Sequence, residues 1–250
     1  MLSCIILAGG LGTRLQIVSK DLPKCMVNIG GHPFLHWLLT ALYIQEVDNV
    51  VLALGYKPKN IIDYCNKFNN VDFSFDFNYN IEEELLGTGG AIRNNICEVI
   101  GDTVLILNGD SFCRFNIQKL LDIHLSSNAK ATILLTKLKD TSEYGNVSIT
   151  KDGKVIEFVE KTGEKAPGLV NVGVYILNNP GILDYIPEGI VSLEREVFPK
   201  LAKEGSLYTI TTKDPLFDIG TPERCNVANK FFMKFGGDND FSEYIRKNLL

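Results

Sequence analysis

The sequence predicts an α/β fold in which helices flank a central, mostly parallel sheet. Two observations carry this. Short runs of leucine and β-branched residues alternate with stretches of helical spacing. The first run and the run at 102–110 both end in glycine and polar residues. Open α/β sheets bind ligands at such carboxyl ends of strands. Across 250 residues no linker, internal repeat or low-complexity segment breaks the rhythm, so a single domain is expected.

Residues 3–8, built on the apolar run Cys4-Ile5-Ile6-Leu7, read as a buried strand. In 33–46, Leu35, Leu38, Leu39 and Leu42 recur at helical spacing and mark one helix face. The run at 49–54 is the next strand, 58–68 is helical, and 71–79 alternates as a strand. A glycine-opened helix is expected over 87–100, a buried strand over 102–110, a helix over 116–126 and a strand over 130–137. After residue 140 the pattern changes. Residues 145–161 read as a hairpin turning at Asp152-Gly153, followed by a strand at 169–177. In 192–204, Leu193, Val197 and Leu201 recur four apart, a helix; a strand near 207–212 and a helix from about Thr221 follow.

The formal net charge of −5, with no basic run, argues against a nucleic-acid surface. No apolar stretch is long enough for a membrane span, and no signal-peptide pattern opens the chain, so a cytoplasmic protein is expected. The six cysteines are scattered without a C-x-x-C pair, which favours reduced, buried thiols over zinc ligands or disulfides.

The chemistry concentrates in AGGLGTRL, residues 8–15. Glycines let backbone N–H groups approach an anion, and a glycine-rich turn after a strand suits phosphate. Arg14 adds a fixed charge with a planar fork, and Lys24 a second cation. The spacing matches neither the P-loop nor the dinucleotide fingerprint. Read singly, the loop is equally a surface turn, Asp110 a turn residue and Asp218 a helix N-cap.

LAGGLGTRL with PKCM shortly after, ELLGTGGAI (84–92), LNGD (107–110), EYGNV (143–147), FVEK (158–161), NVGVY (171–175) and FDIGTPE (217–223) occur in that order. Together they resemble the sugar-1-phosphate nucleotidyltransferases, the nucleotide-sugar pyrophosphorylases. KDLPK and LNGDSF look most like the D-glycero-α-D-manno-heptose 1-phosphate guanylyltransferases of that family, which make GDP-heptose for bacterial surface polysaccharides. Cys25 and Leu85 stand where prolines are more usual, and neither position supplies a required charge.

The resemblance implies the Rossmann-like nucleotide-diphospho-sugar transferase fold without a β-helix domain. It divides the chain into a nucleotide-binding half (1–140), a sugar-phosphate half (141–220) and a C-terminal helical segment (221–250). It implies attack of a sugar 1-phosphate oxygen on the α-phosphorus of GTP, with no general base. His32, His36 and His124 are accordingly read as structural or exposed. Arg14 would hold the β- and γ-phosphates, Lys24 the α-phosphate region and Lys161 the sugar phosphate. Leu7, Ala8, Gly9, Gly10, Gly12, Thr13, Gly87, Thr88, Asn108 and Gly109 would complete the nucleotide site. Gly145, Glu160, Asn171 and Gly173 would meet the sugar, and Asp110 and Asp218 would hold Mg²⁺. Glu84 is a candidate for the two adjacent donors of guanine, although the run Glu82-Glu83-Glu84 also reads as a solvated loop.

Two alternatives stay open. One keeps the reaction with mannose, glucose or N-acetylhexosamine 1-phosphate and GTP, UTP or dTTP. The other is a non-catalytic relative that senses a nucleotide sugar. The last twenty or so residues either cap the core or meet a second copy in a homodimer.

Overall fold

The computed structural model describes residues 2–10, 22–47, 49–69, 74–160, 163, 165–247 and 249. In chain order these form β1 (Ser3–Ala8), the short pair β2 (Asn28–Ile29) and β3 (His32–Pro33), α1 (Phe34–Ile44), β4 (Asn49–Leu54), α2 (Pro58–Phe68), β5 (Asp76–Ile81) and α3 (Gly87–Asn95). Next come β6 (Thr103–Asn108), β7 (Ser111–Phe112), α4 (Ile117–Ser126), β8 (Ala131–Leu138), β9 (Gly145–Ile149), β10 (Val155–Glu160) and β11 (Gly168–Asn178). The chain closes with α5 (Phe198–Glu204), β12 (Leu207–Thr212), β13 (Phe217–Asp218), α6 (Pro222–Phe232) and α7 (Asp238–Arg246).

The main sheet has nine strands in the order β10-β9-β11-β6-β1-β4-β5, with β8 pairing β11 and β12 pairing β8. β6, β1, β4 and β5 run parallel, as do β8 and β12. β11 is antiparallel to β6, β8 and β9, so β11 and β10 run against the rest. The sheet is thus mixed and mostly parallel, as expected.

Both faces of the parallel strands are covered, which explains their unbroken apolar runs. Cys4, Ile6, Val50, Leu52, Leu105 and Leu107 point into one core with the apolar residues of α1. Ile5, Val51, Ala53, Val104 and Ile106 alternate into the other, with Ala91, Ile92, Phe198 and Leu201. The C-terminal segment caps the first core. Phe232 and Phe241 are fully buried, their ring centroids 4.8 and 4.9 Å from that of Trp37.

Three expected boundaries move. The strand placed at 71–79 is found at Asp76–Ile81, with 70–73 outside the described residues. It is an edge strand whose half-exposed residues blur its alternation. The helix expected to reach 100 ends at Asn95, where Nδ2 donates to Ala91 O at 2.7 Å; a 3-10 turn follows over Ile96–Glu98. The helix over 192–204 opens as a π-turn, Leu193–Val197, before α5. In that turn the Phe198 N–H donates to Leu193 O, one residue farther back than in an α-helix.

All six cysteines are free, and only Cys97 is exposed. Burial pushes the Cys25 thiol up to about 12, keeping it protonated. Among the described residues no helix is long and apolar enough to cross a membrane.

The histidines are structural. His36 is buried, with Nε2 2.6 Å from Asp238 Oδ1 and Nδ1 2.9 Å from the Tyr64 hydroxyl, and it ties α1 to α7. His32 stacks on it, ring centroids 4.1 Å apart and planes within 12°. Both ring nitrogens of His36 are taken up by Tyr64 and Asp238, so in this structure the group ties α1 and α2 to α7.

His124 is buried against Thr132, and burial drives its pKa from 6.5 to about 4. The folded state therefore holds it neutral, while the unfolded chain protonates it below pH 6.5. Its contribution is complete above that pH and is lost as pH falls toward 4, up to about 3 kcal/mol. His124→Asn should flatten the acid limb of a melting-temperature profile over that window; an unchanged slope would contradict the assignment.

Candidate active site

The carboxyl ends of β1, β5 and β6 open onto a cleft with two adjoining chambers of about 270 and 280 Å³. Lys24, Thr88, Asn108 and Asp110 line both and form the junction. The first chamber is walled by Leu7, Ala8, Gly9 and Gly10 after β1, by Gly87 and Thr88 at the start of α3, and by Gly109 after β6. The second is walled by Gly145, Glu160, Asn171 and Gly173, with Asp218 after the turn from β12. The structure thus brings together the sequence-predicted residues that it describes, apart from Glu84. Gly12, Thr13, Arg14 and Lys161 lie outside the described residues.

Local geometry explains the placement. Gly87 sits at φ +72°, where a Cβ would lie 2.6 Å from Val191 O, so only glycine lets the chain enter α3 this close to the 189–194 segment. The N–H groups of Gly89 and Gly90 donate to Val191 O at 2.8 and 3.3 Å, which holds the turn. Gly173 sits at φ +82° in a bulge of β11 between Asn171 and Tyr175, against Asn108 and Ser111. That bulge aims Asn171 at the second chamber. Its Nδ2 donates to the Tyr175 hydroxyl at 2.7 Å and its Oδ1 accepts from Gly173 N at 3.0 Å.

The two aspartates meet through a feature the periodicity could not reveal. β7 and β13 pair antiparallel, with Asp218 opposite Ser111, and Ile219 N donates to Asp110 O at 3.1 Å. Asp218 is not a helix N-cap: Thr221 caps α6 by accepting from Arg224 N at 3.3 Å.

Their surroundings differ. Asp110 accepts from Lys24 Nζ at 2.5 Å and keeps 44% of its side chain exposed. Asp218 is 14% exposed and accepts from Gly220 N at 3.0 Å, from Arg224 Nη1 at 3.1 Å and from the Tyr144 hydroxyl. Burial, and next the hydrogen bond to Asp218, raise the Tyr144 hydroxyl well above its usual value, so it stays a donor.

Glu84 is exposed and does not line the cleft; Glu82 does. Glu82 N donates to Leu54 O at 2.7 Å, extending the β4–β5 register. A Cβ on Gly9 would lie 3.1 Å from Glu82 Oε2. Burial raises the Glu82 carboxyl, and its Oε1 is buried without a hydrogen-bond partner among the described residues. Glu194, also missed in the sequence, accepts from Thr88 Oγ1 at 2.7 Å, Ser192 Oγ at 3.0 Å and the Tyr175 hydroxyl at 3.3 Å.

A model of the nucleotidyl transferase family matches residues 3–234, nearly the whole chain. The chain belongs to the nucleotidyl transferase family. Within that family its relatives include sugar-1-phosphate guanylyltransferases. It is 37% identical over 229 residues to a D-glycero-alpha-D-manno-heptose 1-phosphate guanylyltransferase of Aneurinibacillus thermoaerophilus, covering 92% of this chain and 97% of the relative. It is 34% identical over 222 residues to a mannose-1-phosphate guanylyltransferase of Mycobacterium tuberculosis, covering 88% of this chain but 61% of that relative's length. The crystal structure of HddC from Yersinia pseudotuberculosis complexed with GMP-PN superposes with a TM-score of 0.80 at 38% identity, covering 93% of this chain and all of that one.

In this nucleotidyltransferase, the donor set at the junction fits a hard divalent cation. Asp110, in the turn between β6 and β7, and Asp218, in β13, supply only oxygens to one cleft. A carboxylate has about four acceptor sites. Asp110 gives one to Lys24 and keeps capacity, which suits an ion that takes few protein ligands and completes its shell with phosphate and water.

Proposed function

We propose that the protein transfers a guanylyl group from GTP to D-glycero-α-D-manno-heptose 1-phosphate, giving GDP-heptose and pyrophosphate. The observation that carries this is the pair of adjoining chambers with Lys24 and Asp110 at their junction. GTP occupies the first chamber, with its base near Glu82 and Gly87 and its phosphates toward Gly9, Gly10 and Lys24. The sugar 1-phosphate occupies the second, its hydroxyls meeting Glu160, Asn171 and Gly145. The sugar phosphate oxygen, already ionised, meets the α-phosphorus at the junction. Catalysis then consists of positioning two anions in line and neutralising their charge.

Mg²⁺, held by Asp110 and Asp218, would supply positive charge to the phosphate oxygens. Arg14 and Lys161 are assigned to the departing phosphates and the sugar phosphate on the family resemblance. Such a reaction draws on cellular GTP, which favours a cytoplasmic site, and its product would feed bacterial surface polysaccharide synthesis.

The KDLPK and LNGDSF segments favour heptose over mannose, because they resemble the heptose enzymes. Pyrophosphate release measured with GTP against each sugar 1-phosphate should give a kcat/KM at least tenfold higher for the heptose. Equal or better use of mannose 1-phosphate would replace heptose and leave guanylyl transfer standing. No pyrophosphate with any pair would overturn the enzyme reading and favour a nucleotide-sugar sensor.

A further inference from the structure

The second chamber is acidic. Asp110, Glu143, Glu160, Glu194 and Asp218 all line it. A phosphate monoester brings further negative charge and needs a local cation to settle there. Among the described lining residues only Lys24 and Arg224 are cationic. Lys24 also lines the first chamber and bonds Asp110, which places it at the meeting of the two substrates. We propose that Arg224 is a phosphate-binding residue that anchors the sugar 1-phosphate. This assignment rests on the nucleotidyl-transfer reading above.

The guanidinium is held ready. Nη1 donates to Asp218 Oδ1 at 3.1 Å, and Cζ lies 5.0 Å from the centre of the Tyr144 ring. Tyr144 itself donates to the other oxygen of Asp218, so the acid, the ring and the guanidinium lock one another. At the backbone, Arg224 N is fixed by the Thr221 cap. The side chain remains 29% exposed. Asp218 takes one N–H, and a guanidinium has about five in a planar fork, enough to grip two phosphate oxygens as well. Holding the fork beforehand reduces the entropy lost on binding. Asp218 thus gains a second task as the positioning residue for Arg224.

The test compares the full-length wild type with Arg224→Gln and Arg224→Lys. Pyrophosphate release is measured while one substrate is varied against saturating amounts of the other. Calorimetry with mannose 1-phosphate and with manno-heptose 1-phosphate gives binding independently of turnover. Arg224→Gln should raise the KM and Kd for sugar 1-phosphate at least tenfold and leave the KM for GTP within twofold. Arg224→Lys should recover part of the loss, as a charge without a fork. Unchanged sugar-phosphate affinity in Arg224→Gln would overturn the proposal. So would a change confined to GTP or to the divalent-ion requirement, which would make Arg224 a mere counter-ion for Asp218. An inactive wild type that still binds sugar phosphate through Arg224 would sink the transfer reading and keep this one.

Discussion

Asp110→Asn should lower turnover about 10³-fold with little change in melting temperature. Both halves of this expectation come from its surroundings. Asp110 lies where the two chambers meet, so charge lost there acts on the reacting phosphates. Asparagine is nearly isosteric but cannot supply the negative charge that a divalent ion requires. Apparent affinity for Mn²⁺, read by titration, should fall with turnover. The fold is spared because Asp110 is 44% exposed and its ion pair with Lys24 is partly hydrated, worth about 1 kcal/mol or less. Asp218→Asn makes the contrast. Asp218 is 14% exposed and joins Tyr144, Gly220 and Arg224, so its loss should lower the melting temperature as well as turnover. Turnover of Asp110→Asn within tenfold of wild type would remove the acid from the reaction.

Glu82→Gln should cost about 10²-fold in kcat/KM with GTP and narrow the preference for GTP over UTP. Guanine presents an N–H and an amino group side by side, and a carboxylate accepts from both; an amide can accept from only one and sets its own donors against the other. Uracil offers a single N–H along the corresponding edge, so the loss there is smaller. Glu82 lines the first chamber beside Gly9, and its Oε1 is buried without a partner among the described residues. Burial also raises its pKa, so protonation on acidification begins above the usual carboxylate range. A protonated carboxyl loses acceptor capacity, so the KM for GTP should rise as pH falls through that raised value. In Glu82→Gln this rise should vanish. Glu84→Gln, at an exposed position, should behave as wild type. If Glu84 and not Glu82 controls base choice, the nucleotide pose is wrong.

The sequence was most legible where periodicity and burial coincide. β1 and β4 are found at their expected bounds, because packing between two flanking strands leaves little freedom in register. The cleft was legible because glycines and acids at strand ends permit phosphate and metal chemistry, and the ordered motifs that resemble the sugar-1-phosphate nucleotidyltransferases selected that reading over plain turns. Three things escaped. β7 and β13 are two residues each, too short for a periodic signal, yet they bring Asp110 beside Asp218. The choice among Glu82, Glu83 and Glu84 depends on the β4–β5 register, which continues through Glu82 N to Leu54 O and cannot be read from three identical residues. Arg224 sits in the first turn of an amphipathic helix, where an arginine ordinarily faces water. Only the fold shows that this turn begins beside Asp218.

The most direct measurement is the anomalous signal of Mn²⁺ in a crystal grown with a non-hydrolysable GTP analogue and a sugar 1-phosphate. The ion should appear in contact with Asp110 and Asp218, with guanine beside Glu82 and the sugar phosphate in the second chamber. An ion bound away from both aspartates, or a nucleotide seated outside the chamber walled by Gly9 and Gly87, would contradict the account.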